Sequence, residues 1–256
     1  MTLSGTIEAI WRHPVKGFTP EALTRVQIDP ACGLSFDRAY AVENGPSGFD
    51  PQAPAHIPKF RFVALAPVPQ AAAIRTALED ATGRLHVAMS GQPEIAVDLA
   101  LPEDCRRFEA WLAAALGDAV EGPLKVVQAS GHRFLDDPSG QISVTNRASL
   151  RALEAATGVA VDARRLRGNF EVEGWPAFAE VDLTPGTLIR LGAVTARVVK
   201  PIQRCIATHV NPDTAMRDLD LVPALKALTG HANCGVYVQA VDRGEAALGQ
   251  FAGVVA

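Results

Sequence analysis

Between residues 166 and 199 four short runs of β-type residues crowd together, near 166–173, 177–182, 187–191 and 194–199. Too little chain lies between them for helices, so they predict neighbouring strands in one sheet. Similar runs fall at 5–11, 24–28, 39–43, 60–65, 84–89, 94–99, 124–128, 142–145 and 234–241. Helical signals are fewer. An Ala-rich stretch, Gln70 to Ala81, stops at Gly83; a second runs from Pro102 to about Leu116, with early acids and Gly117 after it. Asn146 can cap a third from Arg147 to Thr157, stopped by Gly158, and Leu219 to Leu228 is a fourth, ended by Gly230. Many short strands with few helices predict a mixed α+β, β-rich fold: a β-barrel-like core with attached helices. Residues 44 to 58 and 129 to 140 read as loops, and the Gly/Pro-bearing linker at 118–123 places a boundary between residues 1–120 and 121–256.

The chain has 256 residues, 48% of them hydrophobic and 20% charged, enough to bury a substantial core. A net charge of −4 argues against a general nucleic-acid surface, so any bound anion needs a local concentration of basic residues. No N-terminal apolar stretch resembles a signal peptide, because Glu8, Arg12, His13 and Lys16 interrupt it, and no apolar run is long enough for a bilayer. Cys32, Cys105, Cys205 and Cys234 lie far apart without a Cys-x-x-Cys pair, which speaks against a zinc ribbon and a disulfide framework. A cytoplasmic protein with reduced thiols, binding neither membrane nor nucleic acid, is the expectation.

The stretch that offers chemistry is Lys200-Pro-Ile-Gln-Arg-Cys-Ile-Ala-Thr-His-Val-Asn-Pro-Asp-Thr214. Pro201 is expected to end the strand before it, and the turn residues Asn211-Pro-Asp put Cys205 on a short hairpin-like crossing between strand and loop. Arg204 stands immediately before the cysteine, and a neighbouring guanidinium favours the thiolate that a soft metal or a nucleophilic reaction needs. Cysteine is also commonly just a small buried residue, so spacing alone leaves both readings open. Four further constellations accompany it. His13-Pro-Val-Lys-Gly17 raises Lys16 on a corner beside a glycine that lets backbone N–H groups approach a phosphate. Gly33-Leu-Ser-Phe-Asp-Arg38 leads from a tight turn into Asp37 and Arg38, by themselves readable as an ion pair. In Arg164-Arg-Leu-Arg-Gly-Asn169, strand alternation would put Arg165, Arg167 and Asn169 on one face, as a fork for phosphate or as a solvated basic edge. Tyr237, in Gly235-Val-Tyr237, offers a hydroxyl, although a tyrosine in a barrel wall is more often packing. No Ser-His-Asp order, Gly-x-Gly-x-x-Gly or Walker-type loop occurs, and His132, His209 and His231 lack zinc-ligand spacing.

In their order these pieces, with Val144-Thr-Asn-Arg-Ala-Ser-Leu150 and the closing turn Gly244 to Gly249, resemble the MOSC family over nearly the whole chain. More narrowly, the chain resembles the group with an added N-terminal β-barrel region, which includes the mitochondrial amidoxime-reducing component and its bacterial relatives. The resemblance implies an N-terminal β-barrel-like region over 1–120 and a MOSC domain over 121–256. It implies a molybdenum–molybdopterin cofactor whose metal takes one protein thiolate, Cys205. Lys16, Gly17, Arg38, Arg167 and Asn169 match positions that hold the pterin and its phosphate; Asn146, Gln203, Arg204 and Tyr237 are further candidates near the cofactor. The implied activity is reduction of N-hydroxylated compounds (amidoximes, hydroxylamines, N-hydroxylated bases), with electrons from a separate ferredoxin- or flavin-type donor protein. A non-catalytic carrier of the cofactor or its sulfur would use the same residues. Pyridoxal phosphate ranks last, since no lysine has the setting of a Schiff-base residue. Three departures stand out: Gly17 where relatives often have serine, Phe178 for a common tryptophan, and Gln250 where aspartate is frequent. No Cys-x4-Cys-x2-Cys ferredoxin module is present.

Overall fold

The computed structural model describes residues 3–255. In chain order its strands are β1 (Ser4–Arg12), β2 (Glu21–Leu23), β3 (Arg25–Asp29), β4 (Gly33–Leu34), β5 (Ala41–Asn44), β6 (Arg75–Leu78), β7 (Leu85–Ala88) and β8 (Ile95–Val97). They continue with β9 (Leu124–Val127), β10 (Ile142–Asn146), β11 (Phe170–Glu173), β12 (Leu188–Leu191), β13 (Val194–Gln203), β14 (Asn233–Ala240), β15 (Gly244–Ala247) and β16 (Phe251–Val254). The α-helices are α1 (Pro102–Leu116), α2 (Arg147–Thr157) and α3 (Leu221–Thr229).

The main sheet runs β11-β10-β14-β13-β12-β16-β1-β2, and an additional β1–β11 pairing closes its first seven strands into a barrel. Only β10 and β11 pair in parallel; the other neighbours are antiparallel. Closure leaves those strands no free edge. Alternation fills the interior: Val194, Ala196 and Val198 of β13 are buried, and they meet Ile189 and Leu191 of β12 and Val236 and Val238 of β14 in one apolar cluster. Each such side chain contributes on the order of 1.5–3 kcal/mol by leaving water. The N-terminal strand β1 is part of this wall, with Ile7 and Ile10 in the same cluster.

A second core gathers β6-β7-β8, the β5–β9 pair and α1, with Phe108 and Leu112 of α1 packed among Phe18, Val42, Val63, Ile74 and Val97. The helix bears its apolar residues on one face, and Trp111 gives its indole N–H to the Pro93 carbonyl at 2.6 Å, a packing role.

Several expected elements differ. Residues 70–81 are not a helix: a 3-10 turn, Pro69–Ala73, gives way to β6. Thr76 and Leu78 are buried while Arg75 and Ala77 are exposed, and pairing with β7 overrides the alanine preference for helix. The stretch 177–182 is a chain of turns, with Ala179 and Val181 amides donating to the Pro176 and Phe178 carbonyls. Phe62 makes a single bridge to Glu43 where a strand over 60–65 is expected. The closing turn 244–249 begins as β15, paired with β3. Pro201 does not end its strand. β13 passes through it to Gln203, because register shifts flank the proline and relieve the ladder of its missing N–H.

Candidate functional site

A cavity of about 500 Å³ opens where the turns after β1 and β4, the loops 45–66 and 129–141, the 3-10 turn Ala163–Leu166 and the end of β13 converge. Seven cationic side chains line it (Lys16, Arg38, Lys59, Arg165, Arg167, Lys200 and Arg204) against two carboxylates, Asp136 and Asp137. Both carboxylates are already engaged, Asp136 by Lys16 and Lys59 and Asp137 by Lys200. In a chain of net charge −4 this is a strong local reversal of sign.

Lys16 is placed by the turn after β1. Its backbone N–H donates to Tyr40 O at 2.8 Å, and its ammonium donates to Phe134 O at 2.9 Å as well as to Asp136. Gly17 has φ +90°, and a Cβ there would lie 2.3 Å from the Val63 carbonyl oxygen, so the turn closes only with glycine. Arg38 and Arg167 both adopt left-handed backbone, φ 48° and 52°, the strained geometry that clusters at functional sites. Arg38 donates to Asp37, to the Arg167 carbonyl at 2.8 Å and to Asn169 Oδ1 at 3.4 Å; Arg167 donates to Phe18 O at 2.9 Å. Burial and the Arg38 charge lower the Arg167 pKa to about 10. Burial also lowers Lys16, only partly offset by Asp136. The reverse holds for Asp136: burial would raise it, but Lys16 and Lys59 keep it well below the usual carboxylate range. Crowded like charges of this kind are relieved when an anion enters.

Cys205, in the lining of the same cavity, is half-buried and stands at the N-terminal cap of the 3-10 turn Ile206–His209. It does not lie on a hairpin-like crossing. Arg204 is not its cation: that guanidinium donates to the carbonyls of Cys234 at 2.6 Å and Leu166 at 2.5 Å. The sulfur instead accepts from Lys59 Nζ at 3.1 Å, and Lys59 reaches Asp136 at 3.5 Å. Asp136 and Cys205 hold the Lys59 pKa above its ordinary value although burial opposes them. Lys16, Asp136, Lys59 and Cys205 thus form a continuous row of contacts along the cavity.

Cys205, Lys16, Gly17, Arg38, Arg167, Asn169, Gln203, Arg204 and Tyr237 all line this one cavity. Asn146 is not among the lining residues. It is fully buried and caps α2, accepting from the Ala148 amide at 3.0 Å and donating to Pro176 O at 2.7 Å and to Glu180. Asn169 lines the wall with its polar atoms in use, Oδ1 accepting from Ser143 and Nδ2 donating to Trp11 O. Arg165 and Arg167 belong to a 3-10 turn and its left-handed end, so strand alternation does not align them; Arg165 binds His209 O and Asp218. Sequence reasoning missed Lys59 and Asp136. Lys59 lies near Arg61 and Asp136 beside Asp137, in or next to loops, and nothing local marks either as a partner of the other or of Cys205.

Residues 4–122 match the model of the MOSC N-terminal beta barrel domain, and residues 131–251 match that of the MOSC domain. The chain belongs to the MOSC family. MOSC proteins are linked with the molybdenum cofactor. No curated protein matches this MOSC chain in sequence. Among solved structures, the YUAD protein from Bacillus subtilis is 11% identical with a TM-score of 0.48, the alignment covering 99% of this chain and 97% of that one. YiiM from Geobacillus stearothermophilus is 21% identical with a TM-score of 0.35, covering 46% and 55%. YiiM from Escherichia coli is 16% identical at 0.36, covering 47% and 57%. No helix among the described residues is long and apolar enough to cross a membrane.

The cavity suits an anionic group that brings its own metal. Arg204 Nη2 is buried in its wall without a partner, Arg167 spends one bond on protein, and a half-buried thiol supplies one soft donor. Among the described residues no group of three His, Cys, Asp or Glu side chains could hold a metal ion by itself.

His13, fully buried beside this cluster, gives the site a pH signature. Burial, then the charges of Arg38 and Arg167, hold its pKa well below 6.5 despite Asp37. The folded state therefore refuses a proton that the unfolded chain accepts below pH 6.5, so stability falls as pH drops from there toward the folded-state value. The expected slope from His13 is about 1.4 kcal/mol per pH unit. Urea unfolding at pH 7.0, 6.0 and 5.5 should show it, and His13→Asn should flatten the slope by that amount; an equal slope in the variant would place its origin elsewhere.

Proposed function

We propose that this MOSC protein is a molybdenum-cofactor-dependent oxidoreductase that reduces N-hydroxylated compounds such as amidoximes and hydroxylamines. The observation that carries the reading is one cavity lined by both a soft sulfur, Cys205, and a crowded cation cluster. Cys205 would hold the metal, and Lys16, Arg38 and Arg167 the phosphate of the pterin. Gly17 lets the backbone approach closely, and the orphaned Arg204 Nη2 offers one further donor. When bound, the cofactor supplies the two-electron and oxygen-transfer chemistry. The net change takes two electrons and two protons, converts the N–OH substrate to N–H, and releases water; a separate ferredoxin- or flavin-type protein would supply the electrons. The chain's own part is to orient the cofactor and fix the surrounding charge. Tyr237, whose ring lies close against Gly140, and Gln203 form further wall of the cavity.

The test uses protein purified from a host that makes molybdopterin, with molybdenum measured by mass spectrometry and benzamidoxime offered with a chemical reductant. Stoichiometric metal with steady formation of benzamidine is the expected result. Metal without consumption would favour a carrier of the cofactor, and the absence of molybdenum would overturn the reading.

A further inference from the structure

We propose that Lys59 is a specificity-determining residue that selects, by charge, what reaches Cys205: it admits molecules bearing a carboxylate or similar anion and turns cations away. The proposal rests on the reading above for its substrate class, namely carboxylate-bearing N-hydroxylated compounds in preference to cationic ones. Its geometric basis is independent of that reading.

The Lys59 ammonium lies 3.1 Å from Cys205 Sγ, while its side chain remains 23% exposed. It therefore stands at the sulfur and in reach of solvent at once. An ammonium has three N–H donors; one points to sulfur and one toward Asp136 at 3.5 Å, leaving the third for an incoming acceptor. Arg165 is held by His209 O and Asp218, Lys200 by Asp137, and Arg204 by two carbonyls, with only its buried Nη2 left over. The two lining carboxylates are likewise paired, so neither is free to receive a cation. A bound anionic cofactor would neutralise the phosphate end formed by Lys16, Arg38 and Arg167. Lys59 touches the sulfur and keeps part of its side chain in solvent, so its charge acts on whatever approaches Cys205. Like-signed charge at that distance disfavours a cation, and opposite charge concentrates an anion.

The experiment compares alkylation of Cys205 by iodoacetate and by iodoacetamide. In both reactions the sulfur forms a C–S bond to the methylene carbon and iodide leaves, and the reagents differ only in carrying a negative charge. The ratio of the two rates cancels the reactivity of the thiol itself and reports the charge at its approach. Rates are read by peptide mass spectrometry on full-length, cofactor-free protein, with the half-buried Cys32 as internal reference. The ratio at Cys205 is expected to exceed that at Cys32 by about 10-fold. Lys59→Gln should cut the excess several-fold, Lys59→Glu should cut it further, and Lys59→Arg should restore it. An unchanged ratio in Lys59→Gln, or an equal change at Cys32, would overturn the proposal. Because the measurement needs no turnover, a loss of the ratio in a protein that consumes no amidoxime would sink the reductase reading and leave this one standing.

Discussion

Serine at position 205 is expected to remove bound molybdenum and lower amidoxime turnover by more than the roughly 100-fold seen when an outer-shell partner of a metal is lost. The reason is chemical. A hydroxyl is a hard, neutral donor at neutral pH, whereas a cysteine offers a soft sulfur that binds a metal as its thiolate, and Cys205 places one in the cavity lining. The fold should be indifferent. Cys205 is half-buried and its sulfur accepts a single hydrogen bond, from a partly exposed lysine that a serine hydroxyl can also receive. Stability should therefore change by no more than about 0.5 kcal/mol. Metal content, turnover and thermal melting on the same preparation separate the two effects. Wild-type activity in Cys205→Ser would remove Cys205 from the site; loss of activity with a collapsed melting curve would mean that the sulfur matters to folding.

Alanine at position 17 should do the opposite, damaging the fold first and the site through it. Its Cβ would meet the Val63 carbonyl oxygen at 2.3 Å and Ala64 Cα at 2.7 Å, both backbone, at φ +90°. Strain and overlap together should cost about 3 kcal/mol, since neither contact can be relieved by turning a side chain. For a chain of this size the melting temperature should fall by roughly 6–12 °C. Gly48→Ala is the control: its φ is +81°, yet nothing lies within 4 Å of the added carbon, so only the conformational cost of about 1 kcal/mol applies. Equal losses in the two variants would show that the close approach to Val63 is not what position 17 requires. A serine there would meet the same obstruction.

Local signals carried furthest where hydrogen-bonding chemistry and periodicity agree. The first helix opens at Pro102 and is followed by Gly117, and the second is capped by Asn146 and closed by a left-handed Gly158. The barrel strands were legible because residues such as Val194, Ala196 and Val198 alternate with outward-facing ones. The same reasoning fails at 70–81, where alanines favour a helix but β7 offers a strand partner, and at Pro201, where two register shifts let the strand continue. Lys16, Arg38 and Arg167 stood out in the sequence because each sits beside a turn or in a dense basic run.

By itself the sequence determined a β-rich barrel with capped helices, a soft sulfur after a long strand, and basic residues clustered at three separate points. Those features depend on neighbours in the chain. What only the tertiary structure decided is which charges meet. It took Arg204 away from the sulfur and gave it to two carbonyls, and it brought Lys59 to Cys205 across 146 positions and Lys16 to Asp136 across 120. It also left Asn146 to cap a helix outside the cavity. Contacts of that separation are made by barrel closure and loop packing. Coulomb attraction between exposed side chains is screened within about 8–10 Å, so until the fold has formed no local pattern says which partner a charge will find.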